Sequence, residues 1–318
     1  MEFLVPHLEK FCNVYSASGQ QSLMLRLFSW ISVVLKYGKK ADRIFLDVYS
    51  SKYFYGIVIL AIILKALKLD YICVLRGGDL PTRLKKNKIL CGMLFGNRKL
   101  LSPSRYLYEA FLKHGFDSLI IPNAVESEFF LDEIPNREPD ASLLYVRSLK
   151  QIYNPIMALK TLKILRSSGF DAKVVMIGSS DQAILNAVES YVKENRLEDH
   201  FEYRGVLSKR EWHQVALNNS IYLSTPNFDN TPVSMLEAMN LGLLIASTNV
   251  GGVPYLVEDG KNAILFPPDD AETAANKLKE VLSKPSMFHR IRNSSMEEGK
   301  KYRLESVLPL WEKLLVSN

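Results

Sequence analysis

The sequence contains little cysteine and histidine, and neither residue occurs in a pattern typical of disulfide or metal chemistry. The three cysteines, Cys12, Cys73 and Cys91, include no Cys-x-x-Cys pair, and the five histidines form no His-Glu-x-x-His motif. These spacings give no support to a disulfide framework or a zinc centre. They favour a reducing compartment, the cytoplasm, as the location of the protein.

A long hydrophobic run is also missing. Residues 1–10 contain no basic segment followed by an apolar one, so a secretory signal is not expected. The most apolar uncharged run in the N-terminal half covers residues 53–64. It is shorter than the roughly 20 residues that a helix needs to cross a bilayer. We therefore predict a buried helix there.

Two further absences argue against whole classes of function. No Gly-x-Gly-x-x-Gly string follows a strand, which argues against a dinucleotide-dependent dehydrogenase. Basic residues do not form a stripe interleaved with aromatic ones, which argues against nucleic acid as a partner.

Positive charge is concentrated in the first part of the chain. Residues 1–135 contain 18 Lys and Arg against 12 Asp and Glu, whereas residues 136–318 contain 22 of each. The densest cluster is formed by Arg83, Lys85, Lys86 and Lys88. This excess suggests an anionic partner, either a phosphorylated acceptor or an anionic membrane surface. A solvated surface turn is the alternative interpretation of the cluster.

Short apolar strands alternate with helical segments along the whole chain. This alternation predicts an α/β protein with parallel sheets and crossover helices. The polar segment 132–140 carries two prolines and is typical of a linker. We predict an N-terminal domain over residues 1–135, a second domain over residues 136–300, and a C-terminal helix over residues 301–318 that packs back on the first domain.

The most informative segment covers residues 227–252. A strand ends at Thr225, a polar loop follows, and a helix begins near Val233. The free N–H groups and positive dipole end of such a helix suit a diphosphate. Glu237, one turn inside the helix, could accept hydrogen bonds from a vicinal diol, and Asp229 could reach the other side of the same ligand. Helix capping by Asp229 and solvation of Glu237 are the alternatives.

The residues of this segment carry a resemblance to a known family, the family-4 retaining glycosyltransferases. The similarity covers about residues 45–268 and implies the GT-B fold, in which two Rossmann-like domains face each other across a cleft. Its most specific part is the following set of residues: Asp229 and Glu237, Ala238-Met239, Gly242, Ser247-Thr248-Asn249-Val250-Gly251-Gly252, Pro254 and Glu258-Asp259-Gly260.

The resemblance implies a role for four catalytic candidates. Glu237 would hold the ribose hydroxyls of a donor nucleotide. Asp229 stands where the family has a glutamate that contacts the transferred sugar. Arg147 resembles an arginine that clamps the diphosphate, a task that suits a guanidinium fork. The family's partner lysine would fall at Ile152, so Lys150 is the candidate replacement, with Asn154 as a weaker one.

The resemblance also implies a set of donor-binding residues. The loop amides would face the diphosphate and the sugar, and further positions would approach the nucleotide and its base. The co-substrate would be a nucleotide diphosphate sugar, with a UDP-sugar favoured over a GDP-sugar. Turn formation is the alternative role of the glycines. The donor-binding candidates are Gly178, Arg204, Val206, Leu207, Asn230, Thr231, Pro232, Val233 and Ser234.

The acceptor side of the resemblance is weaker. The segment Arg76-Gly77-Gly78-Asp79 resembles the family's His-Gly segment, but an arginine cannot exchange a proton as histidine can. It could still hold a phosphate or carboxylate. Asp47 ends a strand that we expect beside the same site. The glycine-rich loop that usually opens the family's first domain is not evident, and only Ser18-Gly19 comes near it.

The resemblance implies a retaining, metal-independent sugar transfer to the hydroxyl of a glycan or lipid-linked acceptor. The absence of an Asp-x-Asp triplet agrees with metal independence, and no cofactor is expected. Such reactions serve cell-surface polysaccharide, lipopolysaccharide or glycolipid assembly, so we expect a cytoplasmic protein that contacts the inner face of the plasma membrane. The alternative is a non-catalytic module that binds a nucleotide or a glycan as a partner subunit.

Overall fold

The computed structural model describes residues 4–17, 22–134 and 138–316. The chain forms two compact units. Unit 1 contains the chain up to Ala124 together with the segment from Leu304 onward, and unit 2 runs from Val125 to Arg303. The division therefore falls at Val125 rather than inside the polar segment 132–140, and the last helix belongs to the first unit.

Unit 1 is built on a four-stranded parallel sheet in the order β1-β2-β3-β4. The strand that pairs with both β1 and β3 is buried along its whole length, as expected of an inner strand of a parallel sheet. The strands are β1 Phe45–Val48, β2 Ile72–Leu75, β3 Leu100–Ser102 and β4 Leu119–Ile120.

Helices cover both faces of this sheet. One face packs against the inner sides of α2, α3, α5 and α6. The other face packs against α1 and α13, where Trp311 contacts Phe45 edge to face with ring centroids 5.8 Å apart. The helices are α1 Val5–Leu8, α2 Leu23–Tyr37, α3 Tyr53–Ala66, α4 Leu80–Lys86, α5 Lys88–Phe95, α6 Arg105–Leu112 and α13 Leu304–Val316.

Unit 2 is built on a six-stranded parallel sheet in the order β10-β9-β8-β5-β6-β7. The chain starts at the central β5, moves out through β6 and β7, and returns to the other side of β5 with β8. The direction of winding thus reverses between β5 and β8, and this is where doubly wound sheets bind ligands. The strands are β5 Ser142–Val146, β6 Lys173–Ile177, β7 Phe201–Tyr203, β8 Ile221–Ser224, β9 Leu244–Thr248 and β10 Ile264–Phe266.

The helices of unit 2 begin at well-defined caps. Asn154 accepts a hydrogen bond from the N–H of Met157 at the start of α7, and Ser208 and Glu211 form a capping box at the start of α9. Separate apolar clusters fill the two sides of the sheet. The helices are α7 Pro155–Ser167, α8 Gln182–Glu194, α9 Lys209–Ala216, α10 Val233–Asn240, α11 Ala271–Leu282 and α12 Pro285–Lys300.

The structure confirms the predicted α/β class and parallel sheets. The sequence predicts strands that begin at residues 43, 71, 100, 119, 142, 172, 201, 221 and 243. Each of these strands is present, within one or two residues of its expected ends. Six elements were not predicted: α1, α2, α4, α5, β10 and α12. The predicted buried helix over residues 53–64 is present as α3, but three of its apolar side chains, Tyr55, Ile59 and Ile62, are exposed.

Candidate functional site

A cavity of about 300 Å³ lies in unit 2 at the carboxyl ends of β5 and β6. It is adjacent to the point where the winding of the sheet reverses. Five of the sequence candidates line it, together with residues that were not singled out. The lining residues are Val146, Arg147, Ser148, Tyr153, Ile177, Gly178, Val206, Leu207, Trp212 and Ser234.

Arg147 and Asp229 form an ion pair beside this cavity. The guanidinium Nη2 donates a hydrogen bond of 2.9 Å to Asp229 Oδ1 and lies 2.8 Å from Oδ2. The guanidinium also lies over the Tyr153 ring, 4.4 Å from its centroid. The buried Nε of Arg147 has no hydrogen-bond partner among the described residues. One donor of Arg147 is therefore available to an additional acceptor.

Asp229 is buried, and its carboxylate is held from two sides. Oδ1 accepts a second hydrogen bond, of 2.8 Å, from the N–H of Asn230. Burial raises the pKa of Asp229 above its usual value, against the opposite effects of the Arg147 charge and the Asn230 N–H.

Gly178 fixes the position of the Arg147 backbone. A Cβ at position 178 would lie 2.2 Å from the carbonyl oxygen of Arg147, and φ is +146°. Only glycine allows this approach of the end of β6 to the end of β5. The role seen directly at Gly178 is therefore the packing of two strand ends at the cavity wall.

A second pair of glycines holds the loop that carries Asp229. A Cβ at Gly251 would lie 1.9 Å from the Asp229 carbonyl oxygen, and a Cβ at Gly252 would lie 2.0 Å from that of Asn230. The Gly252 N–H donates to the Asp229 carbonyl at 3.0 Å. The Gly251-Gly252 pair of the family signature therefore packs directly against the backbone of the loop that carries Asp229.

The first N–H groups of α10 point out of the amino end of the helix, and no side chain caps them. Ser234 in the first turn donates a hydrogen bond of 3.1 Å to the carbonyl of Val146 and bonds Tyr222 OH at 2.8 Å. These bonds place the amino end of α10 against the end of β5, where Arg147 follows. The nearby Thr231 Oγ1 is buried and has no partner among the described residues.

Glu237 lies on the second turn of α10 and is buried. Its Oε1 is 2.9 Å from Lys209 Nζ and 3.8 Å from His213 Nε2. His213 is itself buried, and its Nδ1 bonds Ser127 Oγ at 2.7 Å. Sequence reasoning missed Lys209 and His213. The capping sequence Ser208-x-x-Glu211 begins α9 directly after the Val206-Leu207 segment. It could have placed Lys209 and His213 on a helix that follows the predicted donor-binding residues.

The other eight catalytic and donor-binding candidates are not among the residues that line the cavity: Lys150, Arg204, Asp229, Asn230, Thr231, Pro232, Val233 and Glu237. Lys150 is exposed, in the turn before residues 151–153. Arg204 forms a two-point pair with Glu202, with distances of 2.7 and 3.0 Å. Asn154, a weaker candidate, caps α7 instead. The roles inferred for Lys150 and Arg204 stay predictions.

The acceptor-side candidates lie in unit 1, at the carboxyl ends of β1 and β2. Arg76 Nε donates a hydrogen bond of 3.2 Å to Asp47 Oδ1, and its Nη1 donates one of 2.7 Å to Asn123 Oδ1. A Cβ at Gly77 would lie 2.4 Å from the backbone N of Ser50. The two hydrogen bonds and the close approach of Gly77 to Ser50 hold this segment against the end of β1. Gly78 and Asp79 follow it, and Asp79 is exposed at the start of α4.

Ser18 and Gly19, the nearest match to a glycine-rich first loop, lie outside the described residues. Within residues 4–17, 22–134 and 138–316, no group of three His, Cys, Asp or Glu side chains is arranged to hold a metal ion. In the same part of the chain, no helix has both the length and the apolar character of a membrane span.

Comparison with known proteins gives this site a family context. The sequence model described as "Glycosyl transferases group 1" matches residues 126–298. The putative colanic acid biosynthesis glycosyltransferase WcaL of Salmonella typhimurium is 28% identical over 149 residues, which are 44% of this chain and 34% of that protein. The phosphatidylinositol N-acetylglucosaminyltransferase gpi3 subunit of Schizosaccharomyces pombe is 25% identical over 181 residues, 56% of this chain and 38% of that protein. The matched segments therefore span less than half the length of these relatives.

The fold resembles that of solved glycosyltransferase structures. Anabaena HepE, solved in complex with UDP and glucose, superposes with a TM-score of 0.74 at 14% identity, covering 98% of this chain and 89% of that one. The fold is thus the GT-B fold expected from the sequence. Because the family model covers more than half of the chain and includes the whole candidate site, the protein belongs to the glycosyl transferases group 1 family.

Proposed function

We propose that the protein transfers a glycosyl residue from a nucleoside diphosphate sugar to an acceptor hydroxyl, with retention of the anomeric configuration and without a metal ion. The acceptor is a glycan or a lipid-linked glycan, in the assembly of a cell-surface polysaccharide, lipopolysaccharide or glycolipid at the cytoplasmic side of a membrane. UDP is the favoured nucleotide. The names of the WcaL and gpi3 relatives and the UDP complex of HepE support these choices.

One observation carries the proposal. Arg147 keeps an unpartnered Nε beside a cavity that also reaches Ser234, in the uncapped first turn of α10. A guanidinium and a helix amino end are both suited to a diphosphate, and together they stabilise the negative charge that develops on a departing nucleotide. This positive charge takes the role that a divalent cation has in other transferases.

The proposed reaction exchanges one bond for another at C1 of the sugar. The bond from C1 to the diphosphate oxygen breaks, and a bond from C1 to the acceptor oxygen forms on the same face. The acceptor proton passes to the departing diphosphate. No side chain forms a covalent intermediate, so Arg147 and the α10 amides act by binding and charge stabilisation alone.

Asp229 takes the part of a positioning residue in this proposal. Its carboxylate is buried and bonded to Arg147 and to the Asn230 N–H, so its direct effect is on the guanidinium. The side chain is one methylene shorter than the glutamate of the family pattern. We therefore assign Asp229 to the orientation of Arg147 rather than to contact with the transferred sugar.

In this proposal, the Glu237 carboxylate accepts hydrogen bonds from the ribose hydroxyls of the donor nucleotide. The carboxylate is buried and held by Lys209 at 2.9 Å, so it is oriented before a ligand arrives. Val206 and Leu207 line the cavity beside Arg147 and offer backbone groups and apolar surface to a base.

The experiment combines binding with turnover. Calorimetric titration with UDP, GDP, ADP and CMP identifies the nucleotide, and proton NMR with the matching nucleotide sugars and glycolipid or oligosaccharide acceptors follows donor consumption and the anomeric coupling of the product. We expect binding of one nucleoside diphosphate and a product with the donor's anomeric configuration. Binding without consumption of any donor would favour the non-catalytic alternative, and no binding would contradict the proposal.

A matched pair of variants ties the activity to the site. Glu237→Gln removes one charge-assisted hydrogen-bond partner and should lower kcat/KM at least about 10-fold, because such bonds contribute roughly 1.5–3 kcal/mol. Glu189→Gln makes the same change at an exposed position of α8 and should leave the kinetics unchanged. Equal kinetics for the two variants would remove Glu237 from the donor site.

A further inference from the structure

The helical layer on one face of the unit 1 sheet has an unusual outer surface. The buried sides of α2, α3 and α5 pack into one core with the sheet, and their remaining side chains point away from it. Several of these outward side chains are large and apolar. We name this set the outer patch: Leu25 and Phe28 of α2, Ile59 and Ile62 of α3, and Ile89 and Met93 of α5.

The outer patch extends across neighbouring helices. Helix α3 contacts both α2 and α5. Ile59 and Ile62 stand one helical turn apart, and Tyr55 and Ala66 extend the same exposed stripe at either end. Phe28 is 66% exposed and Ile89 is 81% exposed. Soluble monomers rarely expose such contiguous apolar surface unless it has a partner.

The charge around the outer patch has one sign. Helices α2, α3, α4 and α5 contain no aspartate or glutamate at all. Exposed lysines stand between and beyond them instead, with Lys39 and Lys40 after α2, Lys68 after α3, and Lys85, Lys86 and Lys88 where α4 meets α5. Within the described part of the chain, none of these six lysines forms an ion pair. The nearest carboxylates in sequence lie in loops or strand ends, and one of them, Asp70, pairs with Arg98.

The lysines after α2 and α3 lie at the same end of the layer. Gly38, which follows α2, is so close to Leu69, which follows α3, that a Cβ on it would meet Leu69 Cδ1 at 2.9 Å. An apolar centre with long basic side chains at its margin matches the interface of an anionic bilayer, because apolar groups enter the acyl boundary while lysine stems extend to the phosphates.

We propose that the outer patch and its lysines form a docking surface for an anionic lipid bilayer. The absence of carboxylates across four helices favours this occupant, since a single-sign surface attracts anionic headgroups over a wide area. The protein would lie on the membrane by this face. The proposal rests on the membrane location given in the proposed function and names the surface that provides it. Because binding to vesicles is measured without any donor, its failure can be distinguished from a failure of sugar transfer.

The test is flotation of the full chain with vesicles. We expect the protein to float with vesicles of equimolar phosphatidylcholine and phosphatidylglycerol and to remain behind with vesicles of phosphatidylcholine alone. Roughly 0.5 M NaCl should weaken the binding, because salt screens the lysines. Equal flotation with both vesicles, or with neither, would overturn the proposal.

Two sets of variants locate the surface. Phe28→Ser, Ile59→Ser and Ile62→Ser together should reduce partition about 10-fold or more, whereas Leu119→Ser and Leu310→Ser should not. The control residues are 52% and 41% exposed, and lie on an edge strand and on α13 against the other sheet face. Lys85→Gln, Lys86→Gln and Lys88→Gln together should reduce partition roughly 10- to 100-fold. The matched control changes Lys160, Lys163 and Lys173 of unit 2, all exposed, in the same way.

Thermal unfolding and sedimentation complete the design. Each variant must keep the unfolding temperature of the unchanged protein, so that loss of flotation reports the surface and not the fold. If the apolar variants keep full flotation, the outer patch is not the bilayer contact. If the unchanged protein self-associates in solution, and the same variants abolish that association without changing flotation, the patch belongs to an interface between copies and the proposal fails.

Discussion

Each unit of this protein carries an Arg–Asp pair at the carboxyl ends of adjacent parallel strands, and the two pairs differ in what they leave unsatisfied. In unit 1, Arg76 directs one nitrogen to Asp47 and another to Asn123. In unit 2, Arg147 directs one nitrogen to both Asp229 and Tyr153, and its Nε has no partner among the described residues.

The Arg76 pair connects parts of unit 1 to each other, whereas the Arg147 pair leaves a hydrogen-bond donor available beside a cavity. Arg76 already uses both its Nε and its Nη1 for bonds within its own unit, so a ligand at either nitrogen would have to displace a bond. Arg147 keeps a donor, lies beside a cavity and stands next to an uncapped helix end. An ion pair at a strand end is therefore a good candidate for anion binding when the pairing leaves a donor available.

The largest expected difference between the pairs comes from removing each arginine. Arg147→Ala should lower kcat/KM about 10- to 100-fold, because the charge-assisted bond from its available donor, worth roughly 1.5–3 kcal/mol, would be lost. Arg76→Ala should lower thermal stability with little change in the affinity for the donor nucleotide. Nucleotide titration and thermal unfolding of both variants provide the measurement. A similar loss of nucleotide affinity in both would contradict the distinction.

The glycines that support the two pairs provide a second contrast. Gly251→Ala would place a Cβ 1.9 Å from the Asp229 carbonyl, at a φ of +54°. Gly77→Ala would place one 2.4 Å from the Ser50 nitrogen. Both should lower the free energy of unfolding by more than about 1 kcal/mol, but only Gly251→Ala should also weaken nucleotide binding. Denaturant unfolding and titration distinguish the two effects, and unchanged binding in the Gly251 variant would refute the expected support of Asp229.

Asp229→Asn tests whether this residue acts on Arg147 or on the sugar. If Asp229 orients Arg147, the variant should bind the free nucleoside diphosphate and the nucleotide sugar more weakly by the same factor, about 10-fold for one charged hydrogen bond. The nucleoside monophosphate should bind as before. A loss confined to the nucleotide sugar would assign Asp229 to the sugar and overturn its positioning role.

The smallest expected effect is a dependence of stability on pH. Burial raises the pKa of Asp229 above its ordinary value of 3.8, so the folded state holds this proton more tightly than the unfolded state. The stability that Asp229 contributes is therefore fully present below pH 3.8 and is lost as pH rises through the raised pKa. The unfolding free energy of Asp229→Asn, relative to the unchanged protein, should rise over this window. Unfolding curves at several pH values provide the measurement, and a falling difference would contradict it.

The elements of unit 2 were largely predictable because their signals are local. Apart from β7, which contains Glu202, the predicted strands are largely apolar runs followed by a turn residue. Helices α7 and α9 begin at side-chain caps, Asn154 and Ser208. Helix α2 has no comparable local signal, because no side chain caps its amino end and apolar residues occur on all its sides. Residues 80–95 form two short helices separated only by Asn87, which no periodic pattern in the sequence indicates.

The site was predictable only where its residues are close in sequence. The loop and helix from Asn230 to Glu237 follow one another, so their relation could be inferred from spacing. The bond between Arg147 and Asp229 joins residues 82 positions apart, and the Lys209–Glu237 pair joins two helices. Such contacts depend on the order of strands in the sheet, which spacing alone does not determine.

The path of the chain has a consequence for how the protein is made. Helix α13 covers one face of the unit 1 sheet, with Trp311 only 2% exposed, yet it is the last helix in the sequence. Only the short helix α1 can pack on that face while all of unit 2 is translated. At about 5–20 residues per second this interval lasts on the order of ten seconds. The nascent chain therefore presents much of this apolar sheet face to chaperones until α13 leaves the ribosome.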